Sequence, residues 1–347
     1  MKRAYLDWNA TAPLRPEARE AMIAAMDVVG NPSSVHAEGR AAKGLMERAR
    51  AQVASALGAD GADVIFVSGA TEAAALACAG RGLRAGPVEH DAVAAWVDPV
   101  LGVDAAGQVS VEVPGETALQ AANSETGVIQ DLPQGLAVVD ATQAFGKIPF
   151  AFSWAGCTAA LVSAHKLGGP KGIGALVVKR GTDLQAQLKG GGQEMGRRAG
   201  TENIIGIAGF GAAAEAAQRD LEQGVWDEVE KLRNVLENIV ADGARETIFV
   251  GNAARRLPNT SCFAMTGWKG ETQVMQMDLA GFAVSAGSAC SSGKLRPSGV
   301  LQAMGHDEET ARSAIRVSLG PTVTRDDVER FAAAWLKRCE KHRGRSA

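Results

Sequence analysis

The sequence is poor in cysteine, in aromatic residues and in long apolar runs, and it carries no excess charge of one sign. The five cysteines form no Cys-x-x-Cys pair and no metal-ligand spacing with the five histidines, so neither a metal site nor a disulfide framework is expected. There are 36 basic and 39 acidic residues, a net charge of −3, which leaves no basic surface for nucleic acid. No uninterrupted apolar run approaches the ~18 residues of a membrane span, and the first residues turn acidic too early for a signal peptide. We therefore expect a cytoplasmic protein with reduced thiols that binds neither membrane nor nucleic acid.

The composition is that of an ordinary globular protein. With 347 residues, of which 46% are hydrophobic and 22% charged, the chain can build two domains, each with its own core. Its 41 glycines, against one tyrosine, predict many tight turns and close backbone approaches.

Two apolar runs end in residues of opposite charge. The run 136–139 is followed at once by Asp140, and the run 161–162 leads through a serine and a histidine to Lys166 and a glycine-rich turn. A lysine in such a turn can simply be exposed, but an Asp and a Lys at the ends of two buried strands are the pair that pyridoxal phosphate requires. The Asp keeps the pyridinium nitrogen protonated, and the Lys carries the aldehyde.

A third apolar run predicts an anion site. Val64–Val67 is typical of a buried parallel strand, and the Ser-Gly-Ala-Thr turn after it leads into an alanine-rich helix. The free N–H groups and positive dipole end of that helix would suit a phosphate. Capping of the helix by Ser68 or Thr71 is the alternative interpretation.

Together these motifs resemble the cofactor site of the cysteine desulfurases, in the class V aminotransferase group of fold type I pyridoxal phosphate enzymes. The matching segments are Asp140-Ala-Thr-Gln143, Ser163-Ala-His165-Lys166 and Gly169-Pro-Lys-Gly172. The similarity recurs from Tyr5-Leu-Asp-Trp-Asn-Ala-Thr to Ile315-Arg316-Val-Ser-Leu-Gly320. It implies an α/β fold with a mixed, mostly parallel seven-stranded sheet in a large domain, residues 16–222. It also implies a small α+β domain, residues 1–15 and 223–347, that carries a catalytic cysteine loop.

The resemblance assigns roles in cofactor binding. Lys166 would hold the aldehyde, Asp140 the ring nitrogen and Gln143 the ring hydroxyl, while His90 would stack on the ring and move protons on the substrate. The phosphate would be bound by Ala70, Thr71, Ser163 and His165, and by Thr201 of a neighbouring subunit, so a homodimer is implied. By pattern alone, a satisfied surface or core histidine is the favoured interpretation of His90, and the glycine-rich loop 190–203 could be a solvated one.

Substrate residues follow from the same resemblance. Arg316 alternates with apolar neighbours and would grip the substrate carboxylate, although a structural salt bridge is the rival interpretation. Asn123 and Ser124 match an Asn-Asn pair that contacts the ring hydroxyl and the substrate, and the shorter Ser124 puts substrate affinity in doubt. Cys290 lies in a run of small residues typical of an accessible loop, and that run matches the catalytic loop of the long-loop, iron–sulfur assembly group.

The chain is also shorter than the family pattern in two places. Only 16 residues separate Asn123 from Asp140, where relatives insert a helix, and the stretch between His90 and Asn123 is short as well. We expect one face of the sheet to be unusually bare as a result.

The resemblance implies a cysteine desulfurase that converts L-cysteine to L-alanine. Lys166 would remove the α-proton, and the thiolate of Cys290 would take the sulfur as a persulfide for a sulfur-acceptor or iron–sulfur scaffold protein. Alternatives are a selenocysteine lyase, a cysteine sulfinate desulfinase, or a trimmed homologue of low activity that serves as a sulfur-relay partner.

Overall fold

The computed structural model describes residues 3–287 and 297–346, so Cys290 lies outside the described residues. The helices are α1 Pro16–Met26, α2 Ala37–Ala56, α3 Ala70–Cys78, α4 Asp91–Ala94, α5 Phe152–Ala155, α6 Ile204–Glu222, α7 Val225–Gly243, α8 Gly270–Leu279, α9 Gly299–Ala303, α10 Glu308–Ser313 and α11 Arg325–Ser346. The strands are β1 Ala4–Tyr5, β2 Ala62–Val67, β3 Ala118–Gln120, β4 Val138–Asp140, β5 Ala159–Ser163, β6 Gly174–Lys179, β7 Ile248–Phe249, β8 Thr260–Ala264, β9 Phe282–Ala283, β10 Ser285–Ala286 and β11 Ala314–Ser318. Short 3₁₀ turns cover Pro114–Glu116, Ala164–Lys166 and Gln193–Gly196.

The larger sheet is mixed, and four of its five strands run in one direction. Its order is β2-β6-β5-β4-β3, and β6 is the antiparallel member between β2 and β5. Beyond β3, parallel single-residue bridges join Arg84 to Thr117 and to Asp98. Among the described residues, the predicted seven-stranded sheet is therefore a sheet of five strands with two single-residue bridges beyond β3. The expected parallel pairing of Val64–Val67 is also wrong, since in the described part of the chain β2 pairs only with the antiparallel β6.

Both faces of this sheet are covered by apolar layers. Alternation along β2 sends Val64 and Phe66 into the core beneath α1, α2 and α6, and Ile65 and Val67 into the core beneath α3. Glycines in α6 allow the close packing of the three helices. A Cβ on Gly211 would come within 2.8 Å of the backbone of α2, for example.

The second core belongs to a four-stranded antiparallel sheet of order β10-β11-β8-β7. α7, α8 and α11 cover it, and α11 buries Phe331, Trp335 and Cys339 at the predicted four-residue spacing. The N-terminal segment joins this core, because β1 pairs with β9 and Leu6 is fully buried there. The division into residues 16–222 and residues 1–15 with 223–347 stays a prediction, which this distribution of apolar side chains supports.

The trimmed region does not leave the sheet bare, and that expectation is wrong. All residues of β3, and Val138 and Val139 of β4, are buried. The segment 103–111 doubles back through a Val103–Val109 bridge and docks on residues 129–131 by hydrogen bonds of Gln108 and Gln130. Val109 packs against the core from this segment. This short loop, held by polar side chains, therefore covers the sheet without the helix that the family resemblance implies.

Candidate active site

A cavity of about 590 Å³ opens at the edge of the large sheet where β2, β4 and β5 end. The carboxyl ends of parallel strands meet at one edge, so residues far apart in sequence are brought together there. Nine of the predicted site residues line this cavity: Ala70, Thr71, His90, Ser124, Asp140, Gln143, Ser163, His165 and Lys166.

Lys166 is held by the N-terminal segment of the chain. It lies in the 3₁₀ turn after β5, and its Nζ donates to the main-chain oxygens of Asn9 at 2.6 Å and Ala10 at 3.0 Å. Gly169 lies so close to Ala164 that a Cβ there would come within 3.0 Å of that residue's carbonyl oxygen. The half-buried amine is therefore fixed at the cavity wall by backbone acceptors.

Asp140 ends β4 and presents its carboxylate to the same cavity. Its Oδ1 accepts a hydrogen bond from the backbone N–H of Thr142 at 2.9 Å, which fixes the carboxylate. Thr142 also lines the cavity, and its hydroxyl is buried without a hydrogen-bond partner among the described residues. Such an orphaned group is the kind that a bound ligand satisfies.

The start of α3 forms one corner of the cavity. The N-cap residue is Gly69, and no side chain caps the helix, so the alternative of capping by Ser68 or Thr71 is not observed. Ser163 and His165 border this corner from the end of β5. Burial and the nearby Lys166, Lys171 and Lys147 lower the pKa of His165 to about 4, so its ring is neutral at neutral pH. Its Nδ1 lies 3.2 Å from the hydroxyl of Thr11.

His90 caps the short helix α4 and faces the cavity. Its Nδ1 accepts a hydrogen bond from the backbone N–H of Ala92 at 3.1 Å. In the neutral ring, Nε2 must then carry the proton. The imidazole is thus fixed in position and in tautomer.

Gln143 is held by hydrogen bonds to Asn9 and Lys147, and the sequence analysis did not identify Lys147 as a site residue. Its Nε2 donates to the main-chain oxygen of Asn9 at 3.0 Å, and its Oε1 accepts from the Nζ of Lys147. Lys147 is only 1% exposed. The sequence signal that could have found it is its spacing of four residues from Gln143 in a helix-like turn, in which Phe145 N–H bonds to Ala141 and Ile148 N–H to Ala144.

Arg316 lies behind the cavity wall. It donates to Asp7 Oδ1 at 2.8 Å and to the main-chain oxygen of Ser124 at 3.0 Å, while its Nε is buried without a partner among the described residues. The structure thus has the salt bridge of the rival interpretation, and a grip on a substrate carboxylate stays a prediction. Asn123 does not line the cavity either. Its Oδ1 stabilises the turn at residues 123–126 by accepting from the backbone N–H groups of Glu125 and Thr126.

Of the remaining predicted residues, Cys290 lies outside the described residues and Thr201 does not line the cavity. Thr201 is exposed on the glycine-rich loop, beside a smaller cavity that Ser68 and Gly172 also line. The four described cysteines are buried. Burial raises the pKa of Cys78 and Cys262 to about 12 and of Cys157 to about 11, and it raises the pKa of Cys339. None of these four thiols lines the cavity, so none is placed to act as its nucleophile.

Comparison with known proteins agrees with this geometry. The profile of the aminotransferase class-V family matches residues 4–94 and 114–331. The chain belongs to this family. The unmatched residues 95–113 of this class V chain fall in the stretch that the sequence identifies as shortened.

The relatives that match this chain include cysteine desulfurases. The chain is 38% identical to the cysteine desulfurase of Cereibacter sphaeroides, over 95% of this chain and 94% of the relative. It is 36% identical to the cysteine desulfurase IscS of Dictyoglomus turgidum, over 94% of this chain and 92% of the relative. Among solved structures, a NifS-like protein from Rickettsia africae superimposes with a TM-score of 0.89 at 31% identity, covering 97% of this chain and 99% of that protein.

Proposed function

We propose that this protein is a pyridoxal phosphate-dependent cysteine desulfurase that converts L-cysteine to L-alanine and transfers the sulfur to Cys290 as a persulfide. The observation that carries the proposal is the pairing of Lys166 and Asp140 in one cavity of a class V chain. The cysteine desulfurases that match it over nearly its whole length support the choice of reaction within that family.

The cavity residues fit the cofactor. The amine of Lys166, the carboxylate of Asp140 and the uncapped start of α3 belong to the lining of one cavity, and they match an aldehyde, a pyridinium nitrogen and a phosphate. Thr142, whose hydroxyl is buried without a partner among the described residues, lines the same cavity. Lys166 would bind the aldehyde, Asp140 the ring nitrogen, and Thr71 with Ser163 and neutral His165 the phosphate. Bound pyridoxal phosphate supplies an electron sink for the charge left on the substrate α-carbon.

The residues around the bound cofactor would hold and move the protons of the reaction. The Nζ of Lys166 would remove the α-proton of the bound substrate, and the main-chain oxygens of Asn9 and Ala10 would accept its N–H groups. His90 accepts from Ala92 at Nδ1 and would therefore present its Nε2–H as a hydrogen-bond donor to the substrate side of the cavity. Gln143 meets the ring hydroxyl.

Substrate binding needs one exchange of partners. Arg316 would leave Asp7, or share it, and take the α-carboxylate, which would also satisfy the buried Nε. Ser124 lies at the cavity wall and is the nearest polar side chain on that segment, with Asn123 behind it. The thiolate of Cys290 then attacks the substrate sulfur. The new S–S bond forms as the Cβ–S bond breaks, its electron pair goes to the carbon skeleton, and protonation yields alanine.

A homodimer and a sulfur acceptor complete the proposal. Thr201 is exposed outside its own cavity, as a residue acting on a second copy would be. Val29 at 91% and Val35 at 88% exposure are apolar side chains that a second copy would cover. L-cysteine is the proposed substrate, and the acceptor is a protein thiol or an iron–sulfur scaffold. Among the described residues, no helix combines the length and apolarity needed to cross a bilayer, and a cytoplasmic location stays a prediction of the sequence.

The test measures alanine released from L-cysteine by purified protein. Cys290→Ala should abolish alanine release while the bound cofactor keeps its visible absorbance, and Cys339→Ala, which alters a buried thiol in α11, should leave turnover unchanged. Borohydride reduction with peptide mapping should place the cofactor on Lys166. Unchanged sulfide yield in Cys290→Ala, or a label on Lys171 instead, would overturn the assignment.

A further inference from the structure

Lys147 is a buried amine that none of the roles above uses. It follows the turn at Gly146, whose φ of +75° favours glycine, and this turn sends the side chain under the cavity floor. Lysine is almost never fully buried unless something holds its amine. Its burial therefore calls for an explanation.

Two amide oxygens hold this amine. Nζ donates to Oδ1 of Asn9 at 2.9 Å and to Oε1 of Gln143, and no ion pair joins it to a carboxylate in residues 3–287 and 297–346. Burial, together with the nearby cations Lys166 and Arg316, lowers the pKa of Lys147 well below its usual range. Either protonation state of the amine still carries N–H groups for both oxygens.

The bond to Oε1 decides which end of Gln143 faces the cofactor pocket. An amide can turn over and exchange its oxygen and nitrogen at almost no steric cost, so its hydrogen-bond partners determine its orientation. Lys147 binds the oxygen, and the main-chain oxygen of Asn9 takes one N–H of Nε2. The other N–H of Gln143 is left for the cavity that this residue lines.

The hydrogen bond from Lys147 to Asn9 links Lys147 to Lys166 through a single residue. The main-chain oxygen of Asn9 accepts from both Lys166 and Gln143, while its side-chain oxygen accepts from Lys147 and from Asn259. Asn9 itself is 1% exposed. One buried residue thus accepts hydrogen bonds from both lysines.

We propose that Lys147 is a positioning residue: it locks Gln143 as a hydrogen-bond donor to the ring oxygen of the cofactor and holds Asn9 beneath Lys166. This inference deepens the proposed function and rests on it. Without the amine, the oxygen of Gln143 can turn toward the ring oxygen, and the donor is lost.

The test is the pH midpoint of the visible absorbance of the bound cofactor. The donor from Gln143 stabilises the ring oxygen after it gives up its shared proton, so Lys147→Met should raise the midpoint by about one pH unit. Gln143→Met should do the same, and the double variant should shift no further than either one, because the two residues act through one contact. Lys179→Met, a surface lysine of β6 that bonds only to the oxygen of Gly156, is the matched control and should not move it.

Additive shifts in the double variant, or a wild-type midpoint in Lys147→Met, would refute the proposal. If Lys147→Met does not fold, as judged by thermal unfolding of the apoprotein, Lys147→Leu replaces it, since it also removes the donor, and the same rise of the midpoint is expected. Failure of the proposed function would look different: borohydride labelling would miss Lys166 in the unmodified protein.

Discussion

Arg50 and Glu194 form a bidentate ion pair that ties the glycine-rich loop to α2. The guanidinium approaches the two carboxylate oxygens at 2.8 and 2.9 Å, and the backbone N–H of Phe66 adds a third bond at 3.0 Å. The Glu194 side chain is 1% exposed, although its backbone adopts a left-handed φ of 47°. A carboxylate with three donors in a buried site stabilises a conformation that a non-glycine residue otherwise avoids.

Removing one partner of this pair should be costly. Glu194→Gln removes the buried, bidentate countercharge of Arg50 and leaves it only the half-exposed Glu47 among the described residues, so the free energy of unfolding should fall by about 3 kcal/mol in denaturant melts. Glu47→Gln is the matched control: Glu47 bonds to the same arginine but is half exposed, and its loss should cost roughly 0–1 kcal/mol. Equal effects of the two variants would contradict this account.

Asp140→Asn should separate cofactor chemistry from folding. The neutral amide no longer favours a protonated ring nitrogen, so the rate of alanine formation should fall roughly a hundredfold, corresponding to about 3 kcal/mol. The amide oxygen can still accept from the Thr142 N–H, so the melting temperature of the apoprotein should hardly change. A rate within a factor of two of the wild type would remove Asp140 from the ring nitrogen.

Glu125 should make the protein less stable as the pH rises. Its carboxyl is 8% exposed, accepts from the hydroxyl of Ser298, and burial raises its pKa from 4.5 to about 7. The folded state then binds more protons than the unfolded chain between these values, so stability falls through that window by about 3 kcal/mol. Denaturant melts of Glu125→Gln should show a smaller decrease than the wild type from pH 4.5 to pH 7. Parallel pH profiles would show that Glu125 ionises normally.

His165 should act in the opposite direction. Burial and three nearby lysines lower its pKa to about 4, whereas the unfolded histidine takes up a proton near 6.5. The unfolded chain therefore binds more protons between these values, and stability is lost as the pH falls from 6.5 to 4. In the apoprotein, His165→Gln should flatten this loss in thermal melts at a series of pH values. If the stability of His165→Gln falls between pH 6.5 and pH 4 as much as that of the wild type, other groups are responsible for the loss.

The sequence predicted the cavity residues well because they follow strands. Asp140, Ser163 and Lys166 each end or follow an apolar run, and strands that run in one direction bring such ends to a common edge. Thr71 was found for a related reason, as the first turn of a helix directly after a strand. In each case a pattern of a few neighbouring residues determines the position.

Contacts between distant segments were beyond these patterns. Arg316 bonds to Asp7 across 309 positions, and Lys147 to Asn9 across 138. The direction of β2 depended on pairing with β6, more than 100 positions later, so the apolar run at Val64–Val67 could not show it. The covering of the trimmed sheet depended on Gln108 and Gln130, whose bonds exist only once the loop has folded back.

The sequence by itself determined the class of the fold, the family and the chemical groups of the site, because apolar periodicity and short motifs are local properties of the chain. Tertiary structure alone decided that Arg316 is paired, that Lys147 is buried beside Gln143, and that the described thiols lie away from the cavity. The physical reason is that burial and hydrogen-bond partners, which determine charge and proton affinity, arise only when separate segments exclude water together.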